Sequence, residues 1–267
     1  MSHLFDLAGK TALVTGASRG LGNNMARALV KAGADIAITS RNSDSLDPVK
    51  KEFESYGRKV LPVVLDVEDH ASIIEAVAKT EKHFGKIDIL VNNAGVNKRK
   101  FAVDYTWEEW SWIVDTNLKG SFFVAREAAK GMIARKYGRI INIGSGTSFF
   151  GYKTVTPYSA SRGGIKQMTM CLAAEWAEYN ITVNCICPGW FVTDISRKQF
   201  EDKKWASHLL ERLPAKRFGT PGDLDTAVIF FASEASSYVN GQIICVDGGF
   251  STGDTPAPSS VAPPSIG

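Results

Sequence analysis

Short apolar runs recur along the chain, each closed by glycine or polar residues: 11–14, 35–39, 60–65, 88–91, the Ile140/Ile141/Ile143 run, 181–187 and 242–246. Near-continuous runs of this length predict parallel strands buried on both faces. Between them lie stretches with helical spacing: about 23–32, then 70–84 with Ile73, Ile74 and Val77 as its inward stripe, a helix opened by Thr106, one whose first turn holds Pro157, and 224–232. Thr106 and Glu109 have the spacing of a capping box, and Trp107, Trp110 and Trp112 behind it are expected to pack in the interior rather than stack on a ligand. Strand–helix alternation predicts an α/β fold, a single doubly wound domain with a mainly parallel sheet.

The first strand runs into Thr15-Gly16-Ala17-Ser18-Arg19-Gly20-Leu21-Gly22 and then a helix. Glycines at such a turn let the backbone approach a pyrophosphate, which rests on the helix N-terminus, so Gly16, Ser18, Arg19, Gly20, Leu21 and Gly22 are candidate dinucleotide contacts. The second strand ends in Ser40-Arg41-Asn42, with no acidic residue to bind a ribose 2′-hydroxyl. Arg19 and Arg41 instead offer two guanidinium groups to a 2′-phosphate, which predicts NADP(H) as the cofactor.

A serine, Ser145, follows the Ile140–Ile143 run, and Tyr158 lies thirteen positions later on a predicted helix with Arg162 one turn beyond. Residues at i and i+4 share a helix face. A phenol titrates near pH ~10 in model peptides and needs a neighbouring cation to work as an acid or base near neutrality. Arg162 can supply that charge, while Ser145 can donate a hydrogen bond to a substrate oxygen as negative charge develops there. Taken alone, these residues read more readily as an ordinary helix aromatic and an ordinary strand-end serine.

With their flanks they do not. The chain resembles a short-chain dehydrogenase/reductase of ordinary length over nearly all of residues 5–252, on five ordered motifs that include Thr15–Gly22, Asn92-Asn93-Ala94-Gly95 and Tyr158-Ser-Ala-Ser-Arg162. The resemblance implies a Rossmann-type domain of roughly seven strands over residues 1–252 and hydride transfer between NADP(H) and a carbonyl or secondary alcohol. It implies Ser145, Tyr158, Arg162 and Asn117 as catalytic residues, and Asp66, Val67, Asn93, Ala94, Gly95, Pro188, Gly189 and Thr193 as further cofactor contacts beside Ser40, Arg41, Asn42, Tyr158 and Arg162. It also implies a homotetramer or homodimer. One position departs from the family: its Tyr-x-x-x-Lys has arginine at Arg162, which keeps the charge but does not readily release a proton.

The 4–10 segment, Val96-Asn97-Lys98-Arg99-Lys100 and Thr154–Tyr158 are similar to gluconate 5-dehydrogenases and related sugar-acid reductases. On that resemblance the substrate is a sugar, sugar acid or polyol, met by Lys98 or Arg99 at a carboxylate and by Thr147, Tyr152 and Trp190. The alternative for Lys98 and Arg99 is a solvated basic loop. A polar, aromatic-studded stretch at about 190–217 fits a lid over the substrate. Two other functions stay open: a 3-oxoacyl thioester reductase, and an NADP(H)-binding protein whose catalysis Arg162 impairs.

Composition narrows the remaining classes. Of 267 residues, 44% are hydrophobic and 22% charged, and the net charge of +3 forms no basic, aromatic-interleaved block that would predict nucleic-acid binding. The histidines lack metal-ligand spacing, and four cysteines read as apolar fillers in a reducing, cytoplasmic compartment, with no metal or membrane partner expected. The Pro/Ser-rich stretch 253–267 is too poor in apolar residues to fold.

Overall fold

Strands that lack polar alternation must be covered on both faces, and the computed structural model, which describes residues 3–193 and 200–253, covers them. Seven strands form one sheet: β1 (Thr11–Val14), β2 (Asp35–Ser40), β3 (Val60–Val64), β4 (Ile89–Asn92), β5 (Gly138–Ile143), β6 (Ile181–Pro188) and β7 (Ile243–Val246). Their order is β3-β2-β1-β4-β5-β6-β7, with every neighbouring pair parallel. Every residue of β1, β4, β5 and β6 is buried. Pro62, which cannot donate to a ladder on both sides, sits in the edge strand β3.

One face of the sheet packs against α1 (Gly20–Lys31), α2 (Asp47–Glu54) and α8 (Asp225–Ala232) through Met25, Leu29, Phe53, Val228 and Phe231. The other packs against α3 (His70–Phe84), α5 (Gly120–Arg135) and α6 (Thr156–Trp176) through Ile73, Val77, Ala128, Met132, Leu172 and Trp176. Between them in sequence come α4 (Trp107–Val114) and α7 (Lys203–Arg212). The expected lid at 190–217 is described outside 194–199; those six residues, and the expected tail beyond Gly253, lie outside the described residues.

Two packing expectations fail. Ile74 is 46% exposed, because the buried stripe of α3 runs through Ile73, Ala76, Val77 and Thr80 and Ile74 sits one step, about 100°, off it. Trp107 and Trp110 are 82% and 42% exposed: α4 has the predicted Thr106–Glu109 capping box but buries only Ile113, so its first turn stands clear of the core. α4 passes into α5 through a π-helical turn, Asp115–Lys119, which the sequence pattern does not reveal.

At the amino ends of the strands a polar cluster locks β5 to the segment after α8. Arg139, fully buried on β5, donates to Glu234 Oε2 at 3.0 Å and to the Gly138 carbonyl at 3.0 Å. Glu234 also accepts from Tyr137 Oη at 2.7 Å and pairs with Lys10 at 3.2 Å. Glu234→Ala should lower stability by about 1–3 kcal/mol, less than for a fully buried pair because the Glu234 side chain is 47% exposed. Urea unfolding measures it, and a midpoint equal to that of the parent chain would show that the cluster contributes nothing.

Candidate active site

Loops at the carboxyl ends of the strands enclose a cleft of about 660 Å³. Gly16, Ser18, Arg19, Gly20, Leu21 and Gly22 form one wall. The N-cap of α1, Arg19, makes no side-chain cap bond and the first turn holds no acid, so among the described residues the leading amides of the helix have no side-chain partner. A Cβ at Gly22 would lie 2.3 Å from both Asn93 Nδ2 and the Gly16 carbonyl, so a side chain there would break the wall. Asn93 Nδ2 donates to the carbonyls of Thr15 and Gly16 at 3.0 and 3.1 Å, and Thr15 Oγ1 accepts from the amides of Asn93 and Ala94, both at 2.9 Å. The two glycine-bearing loops are thereby tied to each other.

Arg19 and Arg41 are exposed side chains that line the cleft, and among the described residues neither has a carboxylate partner. Ser40, Asp66, Val67, Asn93, Ala94, Gly95, Pro188, Gly189 and Thr193 line it as well. Asn42 does not: its side-chain oxygen accepts from the Asp44 amide at 2.9 Å and caps the short turn Ser43–Ser45.

Ser145, Tyr158 and Arg162 meet in the same cleft. Ser145 leaves the end of β5 in extended conformation and its Oγ accepts from the Thr147 amide at 3.2 Å, which leaves the hydroxyl hydrogen to a ligand. Pro157 occupies the first turn of α6, which presents Tyr158 and Arg162 one turn apart. Arg162 is 5% exposed; its Nη1 donates to the Ile143 carbonyl at 2.7 Å, and its Cζ lies 5.0 Å from the centre of the Tyr158 ring. Among the described residues its buried Nε has no hydrogen-bond partner.

Asn117 lies behind these residues rather than on the cleft wall. It sits fully buried in the π turn, where its Oδ1 accepts from the Val96 amide at 2.7 Å and its Nδ2 donates to the Val96 carbonyl at 3.0 Å and to Ser161 Oγ at 3.1 Å. The extra residue of the turn rotates Asn117 inward to brace the strand-end loop.

The basic turn divides its residues. Lys98 and Lys100 pair with Glu109 at 2.6 and 2.7 Å, and those ammonium groups hold the Glu109 carboxyl down at about 2. Lys98 thus pairs with α4 and is not among the residues that line the cleft. Arg99 does line it, with its Cζ 5.5 Å from the Tyr152 ring and its Nε buried and unpaired. Thr147, Tyr152 and Trp190 line it too.

Cys185 and Cys187 sit behind the site with their sulfurs 3.8 Å apart, and the contact with Cys185, together with burial, pushes the Cys187 thiol up to about 12. All four cysteines are free thiols. Among the described residues no set of three or more His, Cys, Asp or Glu is arranged to hold a metal ion, and no helix is long and apolar enough to cross a membrane.

The family model described as "Enoyl-(Acyl carrier protein) reductase" matches residues 16–251. The chain is 39% identical over 251 residues to a gluconate 5-dehydrogenase of Gluconobacter oxydans, covering 93% of this chain and 98% of that protein. The chain belongs to the short-chain dehydrogenase/reductase family. It is also 37% identical over 249 residues to a 5-keto-D-gluconate 5-reductase of Escherichia coli K12, covering 93% of this chain and 98% of that one. Among solved structures, a gluconate 5-dehydrogenase of Burkholderia cenocepacia in complex with NADP and tartrate superimposes with a TM-score of 0.91 at 40% identity, over 94% of this chain and 98% of that one.

Some lining residues of this short-chain dehydrogenase/reductase escape a motif-based reading. Phe150, Phe200 and Phe250 come from three separate segments, and no spacing in the sequence announces that they meet. Gly95 is legible by motif, but its local reason is not: a Cβ there would fall 2.4 Å from Arg162 Nη2 and 3.0 Å from Asn117 Oδ1. Gly95→Ala should destabilise the protein by about 1–3 kcal/mol by displacing the guanidinium. Adding Arg162→Ala should recover part of that loss, and a double-mutant cycle in urea with no coupling would show that the two positions do not compete for space.

Proposed function

We propose that the chain is an NADP(H)-dependent oxidoreductase that interconverts a carbonyl and a secondary alcohol on a sugar acid. The observation that carries this reading is the meeting of Ser145, Tyr158 and Arg162 in one cleft with the glycine loop of α1 and two unpaired arginines. The residues present fit a dinucleotide: the backbone cradle at Gly22 admits no side chain, and the leading amides of α1 suit a pyrophosphate. Gly16, Ser18, Gly20 and Leu21 would hold that group. Arg19, Ser40 and Arg41 would hold the 2′-phosphate, Asp66 and Val67 the adenine side, and Asn93, Ala94, Gly95, Pro188, Gly189 and Thr193 the nicotinamide side. The NADP in the Burkholderia relative supports this choice of cofactor.

When bound, NADP(H) supplies or accepts the hydride. Tyr158 gives a proton to the substrate oxygen in reduction and takes it back in oxidation. Ser145 donates its free hydroxyl hydrogen to that oxygen as charge builds on it. Arg162 is a fixed positive charge whose Cζ lies 5.0 Å from the centre of the Tyr158 ring. Asn117 keeps the loop carrying Gly95 in position through Val96. Arg99 is the cation suited to the carboxylate of a sugar acid, and the relatives named for gluconate and 5-keto-D-gluconate support that substrate class. The same names give no support to a thioester substrate. A homotetramer or homodimer rests on the family resemblance, and a cytoplasmic compartment on the small number of cysteines.

Arginine cannot readily pass on a proton, so Arg162 sets a slower rate than lysine would in its place. NADPH oxidation with 5-keto-D-gluconate tests the whole reading. Tyr158→Phe should cost about 10²–10⁴-fold in kcat and Ser145→Ala about 10²–10³-fold. Arg162→Lys should raise kcat by roughly tenfold or more, and an unchanged or lower kcat would refute the impaired proton handoff.

Cofactor choice is checked separately. Arg41→Ala and Arg19→Ala should each raise the KM for NADPH by about 10–100-fold while leaving the KM for NADH nearly unchanged. Parallel changes for both cofactors would remove the 2′-phosphate assignment. Cofactor that binds tightly without turnover, both in the parent chain and in the Arg162→Lys variant, would leave a binding protein in place of an enzyme.

A further inference from the structure

The loop that carries Ser145 is held by a residue outside the cleft wall. Ser145 opens the short turn Gly146–Ser148, and its Oγ takes its direction from the Thr147 amide, which donates to it at 3.2 Å. The turn closes on itself through the amides of Ser148 and Phe149, which donate to the carbonyls of Ser145 and Gly146 at 2.9 and 3.0 Å. Those bonds set the shape of the turn. Its position against α6 has to come from a bond between the two.

Ser148 makes that bond. Its Oγ donates to the Arg162 carbonyl at 2.8 Å and accepts from the Ser145 amide at 3.3 Å. Arg162 thereby grips the segment at both ends, since its Nη1 donates to the Ile143 carbonyl at 2.7 Å. A circuit runs from Ile143 along the chain through Ser145 to Ser148, across to the main chain of Arg162, and back through its guanidinium. Tyr158 stands one turn before Arg162 on α6, so a tie to the Arg162 carbonyl is a tie to the frame that carries the phenol. On the other side, a Cβ at Gly144 would lie 2.6 Å from Cys187 Sγ, 2.9 Å from Cys185 Sγ and 3.2 Å from Ser148 Oγ, so β6 backs the same segment closely. Ser148 itself is not among the residues that line the cleft.

Resting on the oxidoreductase reading above, we infer that Ser148 is a positioning residue for the reaction: its hydroxyl sets the Ser145 hydroxyl against the Tyr158 phenol so that both meet one substrate oxygen. It acts through Ser145, on the chemical step, and leaves the affinities for cofactor and substrate alone. Removing the hydroxyl breaks two bonds at once, one to each of the parts that it joins. A misplacement of about 1 Å between reacting groups can cost on the order of 10²-fold in rate.

The test is the rate of NADPH-dependent reduction of 5-keto-D-gluconate. Ser148→Ala should lower kcat by about 10–100-fold while KM and the Kd for NADPH move by less than about twofold. In a Ser145→Ala background the same change should cost no more than about threefold, because the hydroxyl that it positions is gone. Ser148→Thr keeps a hydroxyl and should stay within about threefold of the parent chain. An unchanged kcat in Ser148→Ala overturns the inference, as does an equal cost in both backgrounds or a loss in Ser148→Thr as large as in Ser148→Ala. Loss of NADPH binding in Ser148→Ala also overturns it, since the residue would then hold up the fold rather than the geometry of one step. If the parent chain turns over no 5-keto-D-gluconate, hydrogen exchange decides: Ser148→Ala should speed exchange of the amides of 145–149 by about tenfold or more and leave those of 11–14 unchanged. That result upholds the positioning by Ser148 while the catalytic reading fails, and equal exchange at 145–149 overturns the inference.

Discussion

The pairing of β1 with β4 is the constraint on which the site depends. Ala12, Leu13 and Val14 lie in parallel register with Ile89, Leu90 and Val91, although two other strands come between them in sequence. The chain after β1 crosses to one face of the sheet and the chain after β4 turns toward the other, so the Thr15–Gly22 and Asn93–Arg99 loops part at the carboxyl edge and leave a crevice. The bonds from Asn93 and Thr15 across that gap fix its width. The strands on the β4 side deliver Ser145 by β5, Tyr158 and Arg162 by the helix that follows, and Pro188 and Gly189 by β6, while Asn117 stays behind the wall in the π turn.

A buried guanidinium is the most expensive part of this arrangement. Arg162 has lost nearly all of its water and recovers one backbone carbonyl and the face of the Tyr158 ring, while Nε recovers nothing among the described residues. Such a charge persists only where its surroundings are fixed independently of it. They are: Gly95 leaves the space that Nη2 fills, Asn117 anchors the adjoining loop, and β5 holds the Ile143 carbonyl in place. Arginine and lysine differ at such a position in more than proton release. The planar fork reaches Ile143 and Gly95 at once, whereas an ammonium is a point charge that can turn toward either.

The fold and the cofactor half of the site were legible because both follow from the backbone. Apolar runs mark buried parallel strands whatever the side chains nearby, and a glycine where no Cβ fits leaves its own sign in the sequence. Side-chain partnerships across space leave none. Lys98 and Arg99 are adjacent and alike in charge, and only the position of Glu109 sends one away from the cleft and leaves the other in it. Asn42 reads as a cofactor residue by position, and its side-chain oxygen caps the Ser43–Ser45 turn. Ile74 and Trp107 misled for a different reason. Apolar character says that burial is favourable, but helix phase and helix length decide whether it happens. The π turn at Asp115–Lys119 has no local signature, since its cause is the distant demand that Asn117 reach Val96 and Ser161.

The two halves of the cleft are therefore built from different materials. The dinucleotide wall consists of main-chain amides, glycines and short side chains bonded to main chain, so altering it means moving strands of a buried sheet. The opposite wall includes large rings from the loop after Ser145, the segment after β6, Phe200 just before α7 and the turn after β7, held by ring contacts and, through Trp205 of α7, by the Trp205–Tyr152 hydrogen bond. Exchange of a single ring there changes the shape offered to a substrate without touching the sheet, the glycine loop or Tyr158. High identity to enzymes of one substrate class accordingly constrains the cofactor wall and the chemistry much more than it constrains the ring wall. Trp190 and the rings that contact it belong to no strand of the sheet.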